Sequence, residues 1–143
     1  MFDSVEGLLS HALFAIGGIK GIEFGKGFAM SKMKGSQAND AFVIKDGKVA
    51  TVTNNNGGIN GGITNGMPVV FQCVVKPTPS IGQIQQTVDF LRGENAQIGV
   101  HGRHDPAIIR RVCPVLDSIT ALALCDLLAQ RYGTDCFMKG KWT

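Results

Sequence analysis

Apolar positions near the start of the chain recur at helical spacing. Val5, Leu8, Leu9, Ala12, Leu13 and Ile16 fall on one face and predict a helix. Asp3 stands where a cap belongs, and Glu6 three residues on can reach back to it. Gly17-Gly18 supplies the left-handed stop. Ile22, Phe24 and Phe28 then alternate with polar or Gly positions, which predicts a strand over 21–29. Residues 30–39 are polar and mixed, and read as exposed loop. Phe42-Val43-Ile44 and Val49-Ala50-Thr51-Val52 flank Asp46-Gly47, a hairpin signal. Residues 69–76 are rich in β-branched positions and read as a strand that Pro77 and Pro79 end. A short strand is expected over 87–90 and a loop over 99–105. Pro106 after Asp105 marks a helix start, and Pro114 interrupts or restarts that helix. From Val115 to Tyr132 the apolar majority covers most faces, so this helix is expected to lie between layers. The reading is one α+β domain over 1–143, with an antiparallel sheet packed against helices.

Composition narrows the function classes. The 143 residues are 44% hydrophobic and 17% charged, which excludes a disordered tail. Net charge is +3 and the aromatic share is 7%, too little for a nucleic-acid surface but compatible with small anionic ligands. The N-terminus shows no basic signal-peptide region, and the longest apolar run, near 119–128, is broken by Asp126 and reads as too short to span a membrane. Cys73, Cys113, Cys125 and Cys136 have no Cys-x-x-Cys or metal-finger spacing; they read as reduced, mostly buried thiols of a cytoplasmic protein. Glycine is the outlier. There are 19 in 143 residues, nearly twice the usual share of ~7%.

Three segments can carry chemistry. The first is Asn54–Gly66 (NNNGGINGGITNG), whose glycines permit positive φ and an anion-binding nest. It matches neither a Walker loop nor a dinucleotide fingerprint, and by residue pattern alone a flexible hairpin with Asn-Gly turns is the favoured reading. The second is Lys76-Pro77-Thr78-Pro79-Ser80. A lysine at the end of an apolar strand, followed by two hydroxyls on a Pro-stiffened loop, suits a phosphate; a solvated strand end is the plain alternative. The third is Gly102-Arg103-His104-Asp105-Pro106. Arg103 can clamp phosphate with two hydrogen bonds, His104 can exchange protons, and Asp105 can accept one or merely cap the next helix. His101 and His104 lack a third partner for a metal.

Taken together these segments resemble the C-terminal part of the chorismate synthase family. The resemblance rests on LLSHALFAIGGIKGIEFGKGF, GSQAND, NNNGGINGGITNG, VVKPTPSI and GRHDPAIIRRVCPVLDSI, in that order over nearly the whole chain. Asp117 departs from the family's usual Glu, and Gly17-Gly18 from its usual Pro or Asn followed by Ala. The resemblance implies half of a β-α-β sandwich, in a family whose members form homotetramers. It also implies conversion of 5-enolpyruvylshikimate 3-phosphate to chorismate and phosphate, a 1,4-elimination of the shikimate pathway that requires reduced FMN. The flavin's reducing source is left open between an external reductase and NADPH.

By resemblance, FMN contacts fall on Gly17, Gly18, Gly61, Lys76, Pro77, Thr78, Pro79, Ser80 and Arg103. Asp105 matches the aspartate placed near flavin N5, where it would support proton transfer. Family members also carry an N-terminal half with a Gly-Glu-Ser-His motif and substrate-binding arginines, which this sequence lacks. The chain is therefore expected to act only with that missing half, to be inactive alone, and to self-associate. A non-catalytic domain that binds FMN or another anion, or has a structural role, is the competing expectation. Both share one geometric demand: Gly61, Lys76 and Arg103 should line one pocket.

Overall fold

Four antiparallel two-stranded ribbons and two main helices make up the computed structural model, which describes residues 3–139. The order is α1 (Val5–Phe14), β1 (Ile19–Phe24), a 3-10 turn (Gly27–Lys32), α2 (Gly35–Ala38), β2 (Phe42–Lys45) and β3 (Lys48–Thr51). There follow β4 (Ile59–Asn60), β5 (Ile63–Thr64), β6 (Phe71–Val75), β7 (Gln85–Asp89), β8 (Glu94–Ile98), α3 (Ile109–Tyr132) and α4 (Asp135–Lys139). The α+β class and the antiparallel pairing agree with the pattern. The pairing forms separate ribbons, β1–β6, β2–β3, β4–β5 and β7–β8, rather than one sheet.

Local chemistry explains most boundaries. Ser4, not Asp3, caps α1: its Oγ accepts the Gly7 N–H at 3.0 Å. The strand expected to run to residue 29 stops at Phe24, because Gly25 and Gly27 take positive φ and turn the chain into the 3-10 segment. β1 and β6 pair from Ile19↔Val75 to Phe24↔Phe71, with a bulge at Lys20. The last pair places the two rings 5.7 Å apart. Asp46 (φ 52°) and Gly47 (φ 73°) make the tight turn between β2 and β3.

The third helix differs from expectation at both ends. It begins at Ile109, three residues beyond Pro106, so Asp105 does not cap it. Pro114 lies within the helix, which runs on unbroken to Tyr132. Pro114 lacks an N–H and forfeits one bond, near enough to the N-terminus that propagation continues. At 24 residues α3 is also long and apolar enough, by length and composition, to cross a membrane, contrary to the shorter run read from sequence. Asp117 and Asp126 lie on it and it packs along α1, so length and composition alone do not place it in a membrane.

That core is incomplete within this chain. Leu9 and Leu13 are fully buried, joined by Ile19, Ile59 and Val112, yet most of α3 is exposed or half-exposed. The helix expected between two layers is thus covered on one side. Cys113 and Cys125 on α3 are exposed and Cys73 is half-buried, so the buried-thiol expectation fails for the first two; the Cys136 side chain lies outside what the structure describes. Burial holds the Cys73 thiol above its ordinary value.

Candidate functional site

Two chain crossings join the second and third candidate segments to the end of α1. The Lys76 N–H donates to the Gly18 carbonyl at 2.7 Å, just past the β1–β6 ladder. Gly18 has φ +93°, and a Cβ there would stand 3.2 Å from Ile108 Cδ1 and 4.0 Å from Val75 Cγ1. The turn after α1 is therefore held against both the strand that launches Lys76 and the start of α3. Farther along, Ser80 Oγ lies 3.1 Å from His104 Nδ1, while His104 Nε2 lies 2.9 Å from the Val100 carbonyl. Gly17-Gly18, the 76–80 loop and the 103–108 segment are thereby brought together.

Their polar groups are unevenly committed. Lys76 and Arg103 are exposed and take part in no ion pair among the described residues. Thr78 Oγ1 is buried with no hydrogen-bond partner, an orphan that native structures rarely leave without a ligand or water. Asp105 pairs with Arg111, Oδ2 to Nη1 at 3.0 Å. Both side chains are largely exposed, so this pair orients the carboxylate more than it stabilises the fold. Gly61 is not brought to this cluster. Its neighbour Gly62 accepts the Val5 N–H at 2.9 Å, at the opposite end of α1 from Gly18. Ten helical residues span about 15 Å. Beside Gly62 a cavity of about 560 Å³ opens between Val5, Ile63, Leu124, Leu128 and Tyr132, and it is mainly apolar.

The Asn-Gly run is organised by a residue the pattern did not single out. Asp40 is 4% exposed. Its Oδ1 accepts from Thr53 Oγ1 at 2.7 Å and from the Asn55 N–H at 2.8 Å. Its Oδ2 accepts from the N–H and the side-chain Nδ2 of Asn56, each at 2.8 Å. Burial alone would raise the carboxyl's pKa, but these donors outweigh it and hold it below the ordinary value. The following glycines pack main chain on main chain. A Cβ at Gly57 would meet Gly25 N and Val70 O at 2.5 Å, and one at Gly58 would meet Pro68 O at 2.5 Å.

The family model described as chorismate synthase matches residues 1–129. The chain belongs to the chorismate synthase family. It is 48% identical over 126 residues to the chorismate synthase of Methanosarcina mazei, covering 88% of this chain and 34% of that protein. To that of Thermococcus kodakarensis it is 47% identical over 129 residues, or 90% of this chain and 36% of that one. A solved crystal structure of chorismate synthase superposes with a TM-score of 0.70 and 28% identity, over 92% of this chain and 32% of that chain. The chain thus spans about a third of the length of the curated relatives it matches.

Within a chorismate synthase chain, Asp40 and His104 are the residues that reasoning from pattern undervalued. GSQAND carried the family resemblance through Asp40, but its partners lie 13–16 residues later and two are backbone N–H groups, invisible to side-chain pattern. His104 showed as a titratable residue, but its two partners, 24 and 4 residues away, could not be read from spacing.

Proposed function

We propose that this chain is the part of a chorismate synthase that holds reduced FMN. The enzyme would convert 5-enolpyruvylshikimate 3-phosphate to chorismate and phosphate by 1,4-elimination. The carrying observation is the junction of three sequence-distant segments, Gly18 to Lys76 through a 2.7 Å bond and Ser80 to His104 at 3.1 Å. The residues fit an anionic, phosphate-bearing ligand: among the described residues, two exposed cations have no acidic partner and one buried hydroxyl has no hydrogen-bond partner.

Each residue then has a role its chemistry suits. Lys76 and Arg103 would hold anionic oxygens, Arg103 with two parallel N–H donors. Thr78 would donate its uncommitted hydroxyl proton, on a loop stiffened by Pro77 and Pro79. Gly17 and Gly18 present main chain without side chains, so a planar ring could approach closely. Asp105, directed by Arg111, would hold or take up a proton at its carboxylate. Reduced FMN, when bound, would supply electron density to the substrate as phosphate departs. Gly61, at the far end of α1, stands outside this group.

Flavin titration and an activity assay test the reading. The chain should quench FMN fluorescence, and Lys76→Ala and Arg103→Ala should each weaken binding by roughly 10- to 150-fold, the scale of one charge-assisted hydrogen bond. With substrate and chemically reduced FMN, the chain alone should release no chorismate, because no Gly-Glu-Ser-His segment or substrate-binding arginines accompany the flavin residues. Chorismate formed by the chain alone would overturn that part. Absence of quenching would overturn the flavin assignment, and quenching with no turnover beside the rest of a family chain would leave a non-catalytic binding role.

A further inference from the structure

We infer that His104 is a positioning residue that latches Ser80, so that the 76–80 loop offers Thr78, and not Ser80, as its free hydroxyl donor. His104 Nε2 lies 2.9 Å from the Val100 carbonyl oxygen. A carbonyl oxygen only accepts, so Nε2 carries the proton. In the neutral ring Nδ1 is then bare and accepts. Ser80 Oγ, 3.1 Å away, has one proton, and that proton goes to Nδ1. Ser80 therefore presents only lone pairs to anything outside the bond. Thr78 Oγ1, two residues earlier on the same loop, is buried and makes no bond at all. The two hydroxyls look equivalent in sequence, and the structure divides their work.

The latch also ties the loop after β6 to the segment before α3. Gln85 Nε2 adds a second tie, donating to the Pro79 carbonyl at 3.2 Å. Those two ties and the proline rings leave the loop few alternative conformations. Orientation set before binding lowers the entropic cost of gripping a ligand. The role in ligand binding rests on the flavin reading above; the latch itself does not.

The test uses the whole chain with ¹⁵N-labelled histidine. Long-range ¹H–¹⁵N spectra, assigned with His104→Ala, should show His104 protonated at Nε2 and bare at Nδ1. Ser80→Ala should move the Nδ1 signal and leave Nε2 nearly unmoved. A ring protonated at Nδ1, or a Nδ1 signal indifferent to Ser80→Ala, would overturn the latch. FMN titration then reads its consequence. His104→Ala should weaken FMN binding roughly 3- to 10-fold, the range for one neutral hydrogen bond. His104→Asn, whose oxygen can take the place of Nδ1, should recover most of that loss, whereas His104→Gln, which reaches only toward Val100, should not. Thr78→Val should weaken binding more than Ser80→Ala. Equal behaviour of the Asn and Gln variants, or a larger effect at Ser80, would defeat the division of labour. If the unaltered chain shows the expected spectrum yet binds no FMN, the latch stands and the flavin reading falls.

Discussion

Asp40 shows how a single carboxylate can set the shape of a glycine-rich loop. Four donors converge on its two oxygens, and the group is nearly fully buried. Asp40→Asn keeps one acceptor oxygen and turns an NH₂ toward two donors. Leaving buried donors unsatisfied costs about 1–3 kcal/mol each. A loss of about 2–6 kcal/mol is expected, read as a lower urea midpoint with the slope unchanged. The pH dependence follows from the lowered carboxyl value. A carboxylate whose folded-state value lies below its unfolded one contributes fully above the unfolded value, near 3.9, and loses that contribution as pH falls through the folded value. The melting temperature should therefore drop below about pH 4, and Asp40→Asn should flatten that part of the profile. None of this could be read from spacing, because half of the donors are main-chain N–H groups whose direction depends on the fold. His104 escaped for the same reason. A ring's tautomer is set by its neighbours, and Val100 and Ser80 meet it only after the chain has turned.

At the level of elements, the glycines of the Asn-Gly run separate into two kinds. Gly57 and Gly58 let strands of main chain touch, whereas Gly61 has positive φ and open space around the position of a Cβ. Gly61→Ala should cost only the left-handed backbone penalty, about 1–2 kcal/mol, and Gly61→Asn less. Gly57→Ala adds a collision with Gly25 N and Val70 O to a similar penalty and should cost 3 kcal/mol or more. Paired thermal melts decide this; equal losses at 57 and 61 would mean that the loop relaxes freely. The sequence pattern flagged the run without telling close packing from ligand approach, since both ask for glycine. Where a turn residue and alternating strands agreed, as at Asp46-Gly47, the hairpin was plain. β8 carries no strand signal in the sequence, because Glu94-Asn95-Ala96-Gln97 has poor strand propensity. Its pairing is imposed by the turn before it, where the Asp89 carboxylate accepts the Leu91 and Arg92 N–H groups and Gly93 takes φ 68°.

The whole molecule exposes far more surface than its mass predicts. A compact monomer of 15.2 kDa should expose about 7,100 Å², against 10,867 Å² here. The excess, roughly 3,700 Å² on this one chain, is well above the ~800 Å² that one partner contributes to a standard interface. It is apolar in the places that matter: Leu122 on α3 is 67% exposed, and Phe90 and Leu91 at the β7–β8 tip are 92% and 99% exposed. The apolar character of α3 on most faces was legible in the sequence; that its outer side stays exposed was not, because no described residue covers it. The relatives are about two and a half times as long, and we propose that the rest of such a chain covers this surface. Co-expression with the non-matching two-thirds of the Thermococcus kodakarensis relative should give a soluble complex. That complex should bind less of an apolar dye than this chain alone, and chorismate formation should appear with reduced FMN. Alone, the chain should self-associate through the same surface, seen as a concentration-dependent sedimentation coefficient. Leu122→Asp isolates the helix face. It alters a side chain that is already exposed, so helix content by circular dichroism should stay unchanged while complex formation fails. A complex that forms equally well with Asp at position 122 would show that the outer face of α3 remains in water, and that the uncovered surface has another purpose.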